Sequence, residues 1–464
     1  METFFRDVFW RPFRIKPLII FYLIASVFLI RKTEKYAAWT TSTPFSSDID
    51  QYYSYLPQIF IHHDPGFTNA TRYWAVAQPN GNKIQRFTIG IAVMEFPFFV
   101  LAHCVAPFYD YPQDGYSAPY IWLLYVGMVF YVFVGLYCVY RSLRFFYGDW
   151  FSVCMIAVLF FATNLFYYTA SEGLMSHSFL FFLQSAFIFN VLSWYRSGKL
   201  KHILLFSFFG GMAVLSRPTE VLILIFPMLL GLKNITSLSE RFKFWNDKKF
   251  QILFGILIFI LVLMPQLLYW KTYSGKWLFY SYGDEGFFFN DPKLLQFWFG
   301  FRKGLIPYAP IFIFSIIGFF FLWKNSREMF FAILIFTVLN SYVLSSWWDY
   351  GYGGSLGNRA LVQSYASLIF PLAAFFQWFL NFPNKLRYKL FNASIFVVVI
   401  YFLINLNLIM SLQYRQTIIH WNGMNKEAYW FVFMKEEFTA DDFKKREELI
   451  EIPDYSKMIK GERN

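Results

Sequence analysis

Long apolar segments recur along this chain, and they constrain its fold more than any other feature. A membrane-spanning helix needs about 20 predominantly apolar residues. Apolar segments of this kind lie at 17–31, 119–140, 150–169, 174–194, 252–270, 306–323, 329–346, 360–380 and 390–410. Residues 203–233 are also apolar but are interrupted around Arg217 and Pro218, which predicts two shorter spans joined by a turn. The sequence therefore predicts an all-α polytopic membrane protein with about eleven transmembrane helices.

The composition excludes an ordinary soluble domain. Of the 464 residues, 57% are hydrophobic and only 15% are charged. A net charge of +12 would suggest a nucleic-acid partner in a soluble protein. Here it indicates lysine and arginine in cytoplasmic loops, and no nucleic-acid partner is expected. Cys104, Cys138 and Cys154 all lie in apolar segments, so they are interpreted as small buried hydrophobic residues.

Basic residues concentrate in the short loops between the apolar segments and at the N-terminus. These loops are 141–149, 195–202, 232–250, 324–328 and 382–389, and the N-terminal residues are Arg6, Arg11, Arg14 and Lys16. The positive-inside rule assigns all of them to the cytoplasm. The alternation of loops holds only if the apolar stretch 88–108 does not cross. We therefore expect that stretch to form a helix in the outer interface, where Glu95, Pro97 and His103 would fit.

The outer face then carries the longer segments 32–118, 271–305 and 347–359 and the tail 411–464. We expect a transmembrane domain over 1–410, whose first periplasmic loop, 32–118, contains interfacial helices. The tail 411–464 would be a small periplasmic appendage, so the N-terminus would be cytoplasmic and the C-terminus periplasmic. Acids and bases lie close to apolar segments on this outer face, so the chemistry of the protein should be sought there.

The stretch from Ser46 to Tyr53 places Asp48 and Asp50 two residues apart in a polar loop at the membrane. A carboxylate there could take a proton from a hydroxyl, or the pair could ligate a divalent cation. The alternative is a solvated loop with a helix N-cap, since aspartate often precedes a helix. The residues after the pair predict a short amphipathic helix that lies on the membrane and ends near Pro57.

Several cations on the outer face are candidates to bind a phosphate group, because the guanidinium fork and the lysine ammonium both pair with phosphate oxygens. They are Arg217, Arg302, Lys303, Arg359, Lys83 and Arg86. For Arg217 the alternative is a structural pair with Glu220 or Glu172. For Arg302 and Lys303 the alternative is simple anchoring to lipid headgroups.

Acids, a histidine and two tryptophans on the same face are candidates to bind a sugar or an acceptor. They are Glu172, His177, Asp284, Glu285, Trp347, Trp348 and Asp349. A carboxylate at the mouth of a span is costly to bury, so Glu172 is either solvated or functional. His177 could equally be an interhelical histidine with hydrogen-bond partners. The tryptophans could stack on sugar rings or belong to an aromatic belt.

With these residues assembled, the chain resembles the GT-C class of integral-membrane glycosyltransferases over nearly its whole length. It looks most similar to bacterial members related to protein O-mannosyltransferases and the lipid A aminoarabinose transferase. Asp48 and Tyr52 match the Asp-x-x-x-Tyr/Phe pattern of that class, and Asp50 makes an Asp-x-Asp variant of it. Further stretches that look like those of Bacteroidetes-type homologues are 90–103, 171–177, 215–218, 282–304 and 347–359.

The resemblance implies a polyprenyl-phosphate sugar donor and inverting transfer to a hydroxyl of a protein, lipid or glycan. It also implies an active site on the periplasmic face of a bacterial inner membrane. Asp48 would be the general base, or Asp50 would share or take that role. The cations named above would hold the leaving polyprenyl phosphate. Members with monophosphate donors work without a metal, so no cofactor is predicted, although the Asp48 and Asp50 pair leaves a divalent cation open.

A transporter or flippase for polyprenyl-linked sugars is the alternative function from another class. Such a protein would place its charged groups near the bilayer midplane, often at broken helices in related halves. In this sequence the charges gather at one face, and only the Arg217–Pro218 interruption resembles a broken helix. This distribution favours an enzyme, and a non-catalytic scaffold that binds a glycolipid is a third hypothesis.

Overall fold

The computed structural model of this protein describes residues 17–36, 45, 47–69, 75–234 and 236–463. The N-terminal residues Arg6, Arg11, Arg14 and Lys16 lie outside the described residues, and so does Ser46 of the acidic motif. The cytoplasmic position of the N-terminus therefore stays a prediction.

The described chain is almost entirely helical. The helices up to residue 216 are α1 (Pro17–Tyr36), α2 (Ser47–Tyr53), α3 (Tyr55–Phe60), α4 (Gly90–Val105), α5 (Ala118–Leu143), α6 (Asp149–Phe161), α7 (Leu165–Ala170), α8 (Ser176–Ser197) and α9 (Leu200–Ser216). The later helices are α10 (Ile225–Leu229), α11 (Thr236–Asp247), α12 (Lys249–Ser274), α13 (Leu294–Phe299), α14 (Leu305–Tyr308), α15 (Phe312–Asn325), α16 (Arg327–Ser345), α17 (Tyr365–Asn381), α18 (Leu386–Arg415), α19 (Lys426–Val432), α20 (Ala440–Leu449) and α21 (Tyr455–Met458). Short 3₁₀ helices follow α4 (Ala106–Tyr109) and α9 (Pro218–Leu224) and precede α17 (Arg359–Ser364). Within the described residues, the one sheet is a two-stranded antiparallel hairpin of β1 (Val76–Ala77) and β2 (Lys83–Ile84).

The helices confirm the predicted class of an all-α polytopic membrane protein. Among the described residues, seven helical segments are long and apolar enough to cross a membrane: Gly90–Tyr109, Ala118–Leu143, Ser176–Ser197, Lys249–Ser274, Arg327–Ser345, Arg359–Asn381 and Leu386–Arg415. Shorter apolar helices lie at Pro17–Ile30, Asp149–Phe161, Leu200–Ser216, Pro218–Leu229 and Phe312–Asn325. Apart from Gly90–Tyr109, these segments coincide with the apolar segments of the sequence, and the chain breaks at Arg217 as expected.

The stretch 88–108 forms α4 and the 3₁₀ turn after it. Its 20 residues from Gly90 to Tyr109 match a spanning helix in length and composition. α4 packs along α5, where the Tyr131 hydroxyl donates to the carbonyl of Met94 (2.9 Å) and Glu95 is only 1% exposed. The interfacial position that we inferred from charge alternation therefore stays a prediction, and the length of α4 would also allow it to cross.

The short helices after the acidic pair differ from the expected surface helix. Pro57 does not end a helix but lies in the first turn of α3, which continues to Phe60. This is compatible with proline, because a first-turn residue has no intrahelical acceptor for its backbone nitrogen. Tyr53 and Tyr55 are fully buried, and the Tyr55 hydroxyl donates to the carbonyl of Phe87 (2.7 Å). α2 and α3 therefore both pack against α4.

The tail after α18 packs on the rest of the protein. α18 itself continues to Arg415, five residues beyond the expected domain boundary. The Tyr429 hydroxyl donates to the carbonyl of Pro307 (2.7 Å), and the guanidinium of Arg463 donates to the carbonyl of Trp347 (2.9 Å). Arg463 is only 1% exposed, so the described end of the tail is anchored in the protein.

Helices α15 and α17 approach each other most closely at Gly318. A Cβ atom added at this glycine would lie 1.9 Å from the carbonyl oxygen of Pro371. Beside this contact the Ser315 hydroxyl donates to the carbonyl of Leu368 (2.6 Å), and Phe314 stacks on Phe375. Small residues allow this kind of close helix packing in membranes.

We expect Gly318→Ala to destabilise the protein, because backbone atoms cannot yield to a Cβ at that distance. The loss should be about 1–3 kcal/mol, as for overpacking of a core, and would exceed the gain in helix propensity that alanine brings. Thermal unfolding of the detergent-purified protein measures it. Gly286→Ala is the matched control, since no atom lies within 4 Å of a Cβ added there. Equal unfolding temperatures for the two variants would contradict the close packing.

Candidate functional site

An ion pair joins the loop region after α1 to the loop before α17. Asp48 lies in the first turn of α2, and its Oδ2 is 2.9 Å from Nη2 of Arg359. The two residues are 311 positions apart, and their side chains are 25% and 12% exposed. The structure therefore brings together a predicted base and a predicted phosphate-binding cation.

The glycine-rich loop before Arg359 sets the position of its side chain. Gly353 and Gly357 adopt φ angles of +65° and +64°, which residues with a Cβ rarely adopt. A Cβ at Gly357 would also lie 2.5 Å from that of Tyr308. Asn164 donates to the carbonyl of Leu356 (2.8 Å), so the loop is held on both sides of its turn.

Glu172 and Lys303 lie close enough to Arg359 for their charges to interact. Burial raises the pKa of Glu172, while the Tyr167 hydroxyl (2.9 Å) and the charges of Arg359 and Lys303 oppose that rise. We call Asp48, Glu172, Arg217, Lys303 and Arg359 the Asp48 cluster. It combines two acidic side chains with two arginines and a lysine at one end of several helices.

Arg217 joins this cluster from the break between α9 and the 3₁₀ helix Pro218–Leu224. Close backbone contact fixes the break, because a Cβ on Gly90 would lie 2.4 Å from the amide nitrogen of Ser216. The Thr88 hydroxyl also donates to the carbonyl of Ser216 (3.2 Å). The start of α4 therefore holds the residue that precedes Arg217.

The guanidinium of Arg217 is surrounded by tyrosines, and the buried Glu220 carboxylate acts on it through its charge without forming a close ion pair. Its carbon lies 5.9 Å from the ring centre of Tyr352, and the phenols of Tyr52 and Tyr282 are near it. In the part of the chain that the structure describes, no carboxylate oxygen lies within 4.0 Å of its nitrogens. Glu220, a partner considered from the sequence, instead accepts from the side-chain amides of Gln184 and Gln363. The described residues form no Arg217 ion pair within 4.0 Å, while the charges of Arg217 and Glu220 still interact, so the structural alternative stays open.

Arg302 and Lys303 have protein partners. Nη2 of Arg302 is 3.0 Å from Oδ1 of Asp349 and 2.9 Å from Oδ1 of Asn422 in the tail. The Lys303 ammonium donates to the carbonyls of Ser355 and Trp421. Burial and the neighbouring charges of Arg302 and Arg359 lower the pKa of Lys303 well below its usual range. These two cations connect the tail to the glycine-rich loop.

A second group of predicted residues lies beside the Asp48 cluster. Arg86 forms an ion pair with Glu285, and the Trp348 indole donates to the same carboxylate (2.8 Å). The Arg86 guanidinium lies 4.8 Å from the ring centre of Tyr282, which also packs on Trp347. Tyr282 is therefore the common neighbour of this group and of Arg217.

The remaining predicted residues differ in how they relate to the cluster. Asp50 is buried, and its position two residues after Asp48 turns it about 200° around the axis of α2. Nδ1 of His177 lies 3.4 Å from the side-chain oxygen of Gln363, and the charges of Arg217 and Arg359 act on its buried ring, so His177 borders the Asp48 cluster. Asp284 is exposed, and Lys83 lies in β2, where its charge acts on Asp64.

Asp48 and Asp50 are the two carboxylates that the sequence offers to a divalent cation. Within the described residues, no group of three or more His, Cys, Asp and Glu side chains is arranged to hold a metal ion. The alternative of a divalent cation at this pair stays a prediction.

Tyrosines and one asparagine complete the site, and the sequence did not single them out. Tyr282 and Tyr352 lie in stretches marked by their charges and glycines, so only their neighbourhood was noted. Asn422 lies in the tail, and no motif surrounds it. Its role depends on the contact with Arg302, 120 residues away, which no local pattern reveals.

Comparison with known proteins gives little beyond architecture. No known family profile matches this sequence, and no curated protein sequence matches it. Among solved structures, a similar one is the crystal structure of ArnT from Cupriavidus metallidurans in the apo state. The two chains are 12% identical, the match covers 86% of this chain and 72% of that one, and the TM-score is 0.48. The function of this chain has to be inferred from its own residues.

We expect Arg302→Gln to loosen the tail, because it removes one partner of a buried ion pair and leaves Asp349 uncompensated. Such a loss costs about 3–5 kcal/mol. Limited proteolysis of the tail, 416–463, should become markedly faster. Arg327→Gln is the control, since Arg327 is exposed and lies at the start of α16. An unchanged cleavage rate in Arg302→Gln would show that the ion pair does not hold the tail.

Proposed function

We propose that this protein is a glycosyltransferase that moves a sugar from a polyprenyl-phosphate donor to an acceptor hydroxyl with inversion. One observation carries the proposal: the Asp48 carboxylate, paired with Arg359, lies in the same cluster as Arg217, which has no carboxylate partner among the described residues. A base next to a guanidinium that forms no close ion pair among the described residues suits a reaction in which a hydroxyl attacks and a phosphate leaves.

The donor phosphate is the partner that the cations of the cluster favour. A guanidinium offers five N–H donors in a fork that matches phosphate oxygens. Arg217 has no carboxylate partner among the described residues, and Nε of Arg359 is buried without a hydrogen-bond partner in the described chain. A phosphate between Arg217 and Arg359 would satisfy both groups.

Binding of the donor would also change the state of Asp48. Without donor, Arg359 holds the Asp48 carboxylate in an ion pair. A phosphate that engages Arg359 competes for the same guanidinium and releases Asp48 towards the acceptor. The ion pair thereby makes the base available when the leaving group is in place.

The reaction step follows from this arrangement. Asp48 accepts the proton of the acceptor hydroxyl as its oxygen bonds to the anomeric carbon of the sugar. The bond between that carbon and the phosphate oxygen breaks on the opposite side, and the electron pair leaves with the polyprenyl phosphate. Arg217 and Arg359 stabilise the negative charge that develops on the phosphate. No cofactor enters this step.

The other predicted residues take supporting places in this proposal. Glu285 and Trp348, with Trp347 beside Tyr282, lie where they could border the sugar or the acceptor. Asp349 accepts from the backbone amides of Gly351 and Gly353, so it shapes the loop that carries Arg359. The charge distribution of the loops supports a periplasmic site in a bacterial inner membrane.

We expect Asp48→Asn to lower turnover by about 10²- to 10⁴-fold, the usual contribution of a general base. Asparagine can still accept a hydrogen bond from Arg359, so folding and donor binding should be retained. The assay uses full-length protein in membranes with a panel of polyprenyl-phosphate hexoses and pentoses and follows the release of polyprenyl phosphate. Asp50→Asn should keep most of the turnover, and Asp441→Asn, at a 94% exposed side chain, is the matched control.

Three results of this assay would contradict the proposal. Loss of turnover in Asp50→Asn but not in Asp48→Asn would assign the base to Asp50. If no donor releases polyprenyl phosphate although the protein still binds donors, the result would support a non-catalytic scaffold. If no polyprenyl phosphate is released but donors move across the bilayer, the result would support a transporter.

We expect Arg217→Gln to weaken both donor binding and turnover, because it removes the cation of the cluster that forms no close ion pair among the described residues. The loss in turnover should be about 10²- to 10³-fold, as for the loss of one donor to a developing anion. Binding of polyprenyl phosphate without sugar should weaken in parallel, which separates this effect from the loss of a base. Arg387→Gln, at an exposed residue in the first turn of α18, serves as the control. Unchanged binding of polyprenyl phosphate would exclude Arg217 from the phosphate site.

A further inference from the structure

A groove of about 640 Å³ opens at the end of the helices opposite the Asp48 cluster. Its floor is α8, and its walls are α5 and α9, which both pack on α8. Arg196 at its rim lies 19 residues after His177 on α8, which corresponds to about 28 Å along the helix. The groove is therefore separate from the proposed site of sugar transfer.

The rim of the groove is cationic. Arg141 at the end of α5, Arg196 at the end of α8 and Lys201 at the start of α9 all line it and are exposed. Within the described part of the chain, its lining includes no carboxylate. The nearby acid Asp149, at the start of α6, pairs with Arg144 (3.6 Å). Three positive charges thus meet at one opening without an acid among them.

A neighbouring cavity contains acids in its lining, whereas the groove, in the described part of the chain, does not. That cavity measures about 350 Å³, and its lining combines Arg196, Lys233 and Arg241 with Glu240 and Glu328. Arg196 thus lines both cavities and the charge of Glu328 acts on it, while Arg141 and Lys201 belong to the groove alone. Lys233 lies 3.5 Å from Glu328. Basic loops on this face are expected from the positive-inside rule alone, but the rule predicts no difference between two adjacent cavities.

Aromatic side chains hold the two arginines of the rim in place. The Arg196 guanidinium lies 4.1 Å from the ring centre of Phe145 and donates to the carbonyl of that residue (3.3 Å). The Arg141 guanidinium lies 5.4 Å from the ring centre of Phe189 and donates to the Tyr137 hydroxyl (2.8 Å). Each guanidinium has five N–H donors, so most of them are left for an anion.

The deeper part of the groove is apolar. Val134, Phe182, Leu205 and Phe209 line it, and Leu205 is 41% exposed. Val134 lies seven residues before Arg141 on α5, or about 10 Å deeper along the helix axis. An occupant that suits the groove therefore has an anionic head and a hydrocarbon chain.

We propose that this groove binds an anionic phospholipid of the surrounding membrane. Its phosphate lies between Arg141, Arg196 and Lys201, and an acyl chain lies along Phe182, Leu205 and Phe209. Basic pockets between helices at a membrane surface bind acidic headgroups by this combination of charge and apolar contact. The lipid bridges α5, α8 and α9 and so stabilises their packing.

The test measures lipid retention and stability of the full-length protein with two lipids. Purified protein is mixed with phosphatidylglycerol or with phosphatidylcholine. Bound lipid is counted by native mass spectrometry, and the unfolding temperature is recorded. We expect preferential retention of phosphatidylglycerol and a higher unfolding temperature with it. Equal retention of both lipids would overturn the proposal, and so would an equal stabilisation by inorganic phosphate alone.

Substitutions at the rim test whether the lipid binds in the groove. The triple variant Arg141→Gln, Arg196→Gln and Lys201→Gln should lose at least about tenfold in affinity for phosphatidylglycerol, since each cation near the surface contributes to the attraction. Lys201→Glu changes one exposed side chain and should weaken binding several-fold even if the triple variant unfolds. Lys233→Gln, in the neighbouring cavity that contains acids, should bind as the wild type does. Wild-type affinity in Lys201→Glu, or an equal loss in Lys233→Gln, would overturn the assignment.

Discussion

The ion pair between Asp48 and Arg359 is the interaction on which the site depends. Burying a charge next to a membrane domain is costly unless a partner compensates it. This pair links the first outer loop to the loop before α17, 311 residues later, and so brings two distant segments to one place. Glu172, Lys303 and Arg217 are arranged around the same guanidinium, so the electrostatics of the cluster follow from where Arg359 is held.

The cations of the outer face divide into two groups by their partners. Arg86 pairs with Glu285, and Arg302 pairs with Asp349, so both build the scaffold of the site. Arg217 lies among phenol groups, and Glu220 acts on it through its charge without a close ion pair among the described residues. The close carboxylate partner distinguishes Arg86 and Arg302, which support the structure, from Arg217, which suits an anionic ligand. The sequence alone does not distinguish these three arginines.

Charged residues are arranged differently at the two ends of the helices. At the end that carries the Asp48 cluster, acids and cations are mixed, and glycines with positive φ lie in the loop that brings Arg359 to Asp48. At the other end, cations meet an apolar groove that is lined by no acid in the described chain. The first arrangement suits chemistry on a phosphate, and the second suits a lipid that holds helices together. The same membrane thus supplies both the proposed donor and the proposed structural ligand.

Hydropathy and proline act locally, so the helical class, the apolar segments and the break at Arg217 can be predicted from the sequence. Asp48, Arg217 and Arg359 can also be selected from the sequence, because charged residues are costly at a membrane face. Which cations have a close carboxylate partner, the burial of Asp50 and the position of Pro57 inside α3 emerge only in the folded protein. Pairing and burial depend on segments hundreds of residues apart, such as those of Asp48 and Arg359, and neither local sequence indicates their contact.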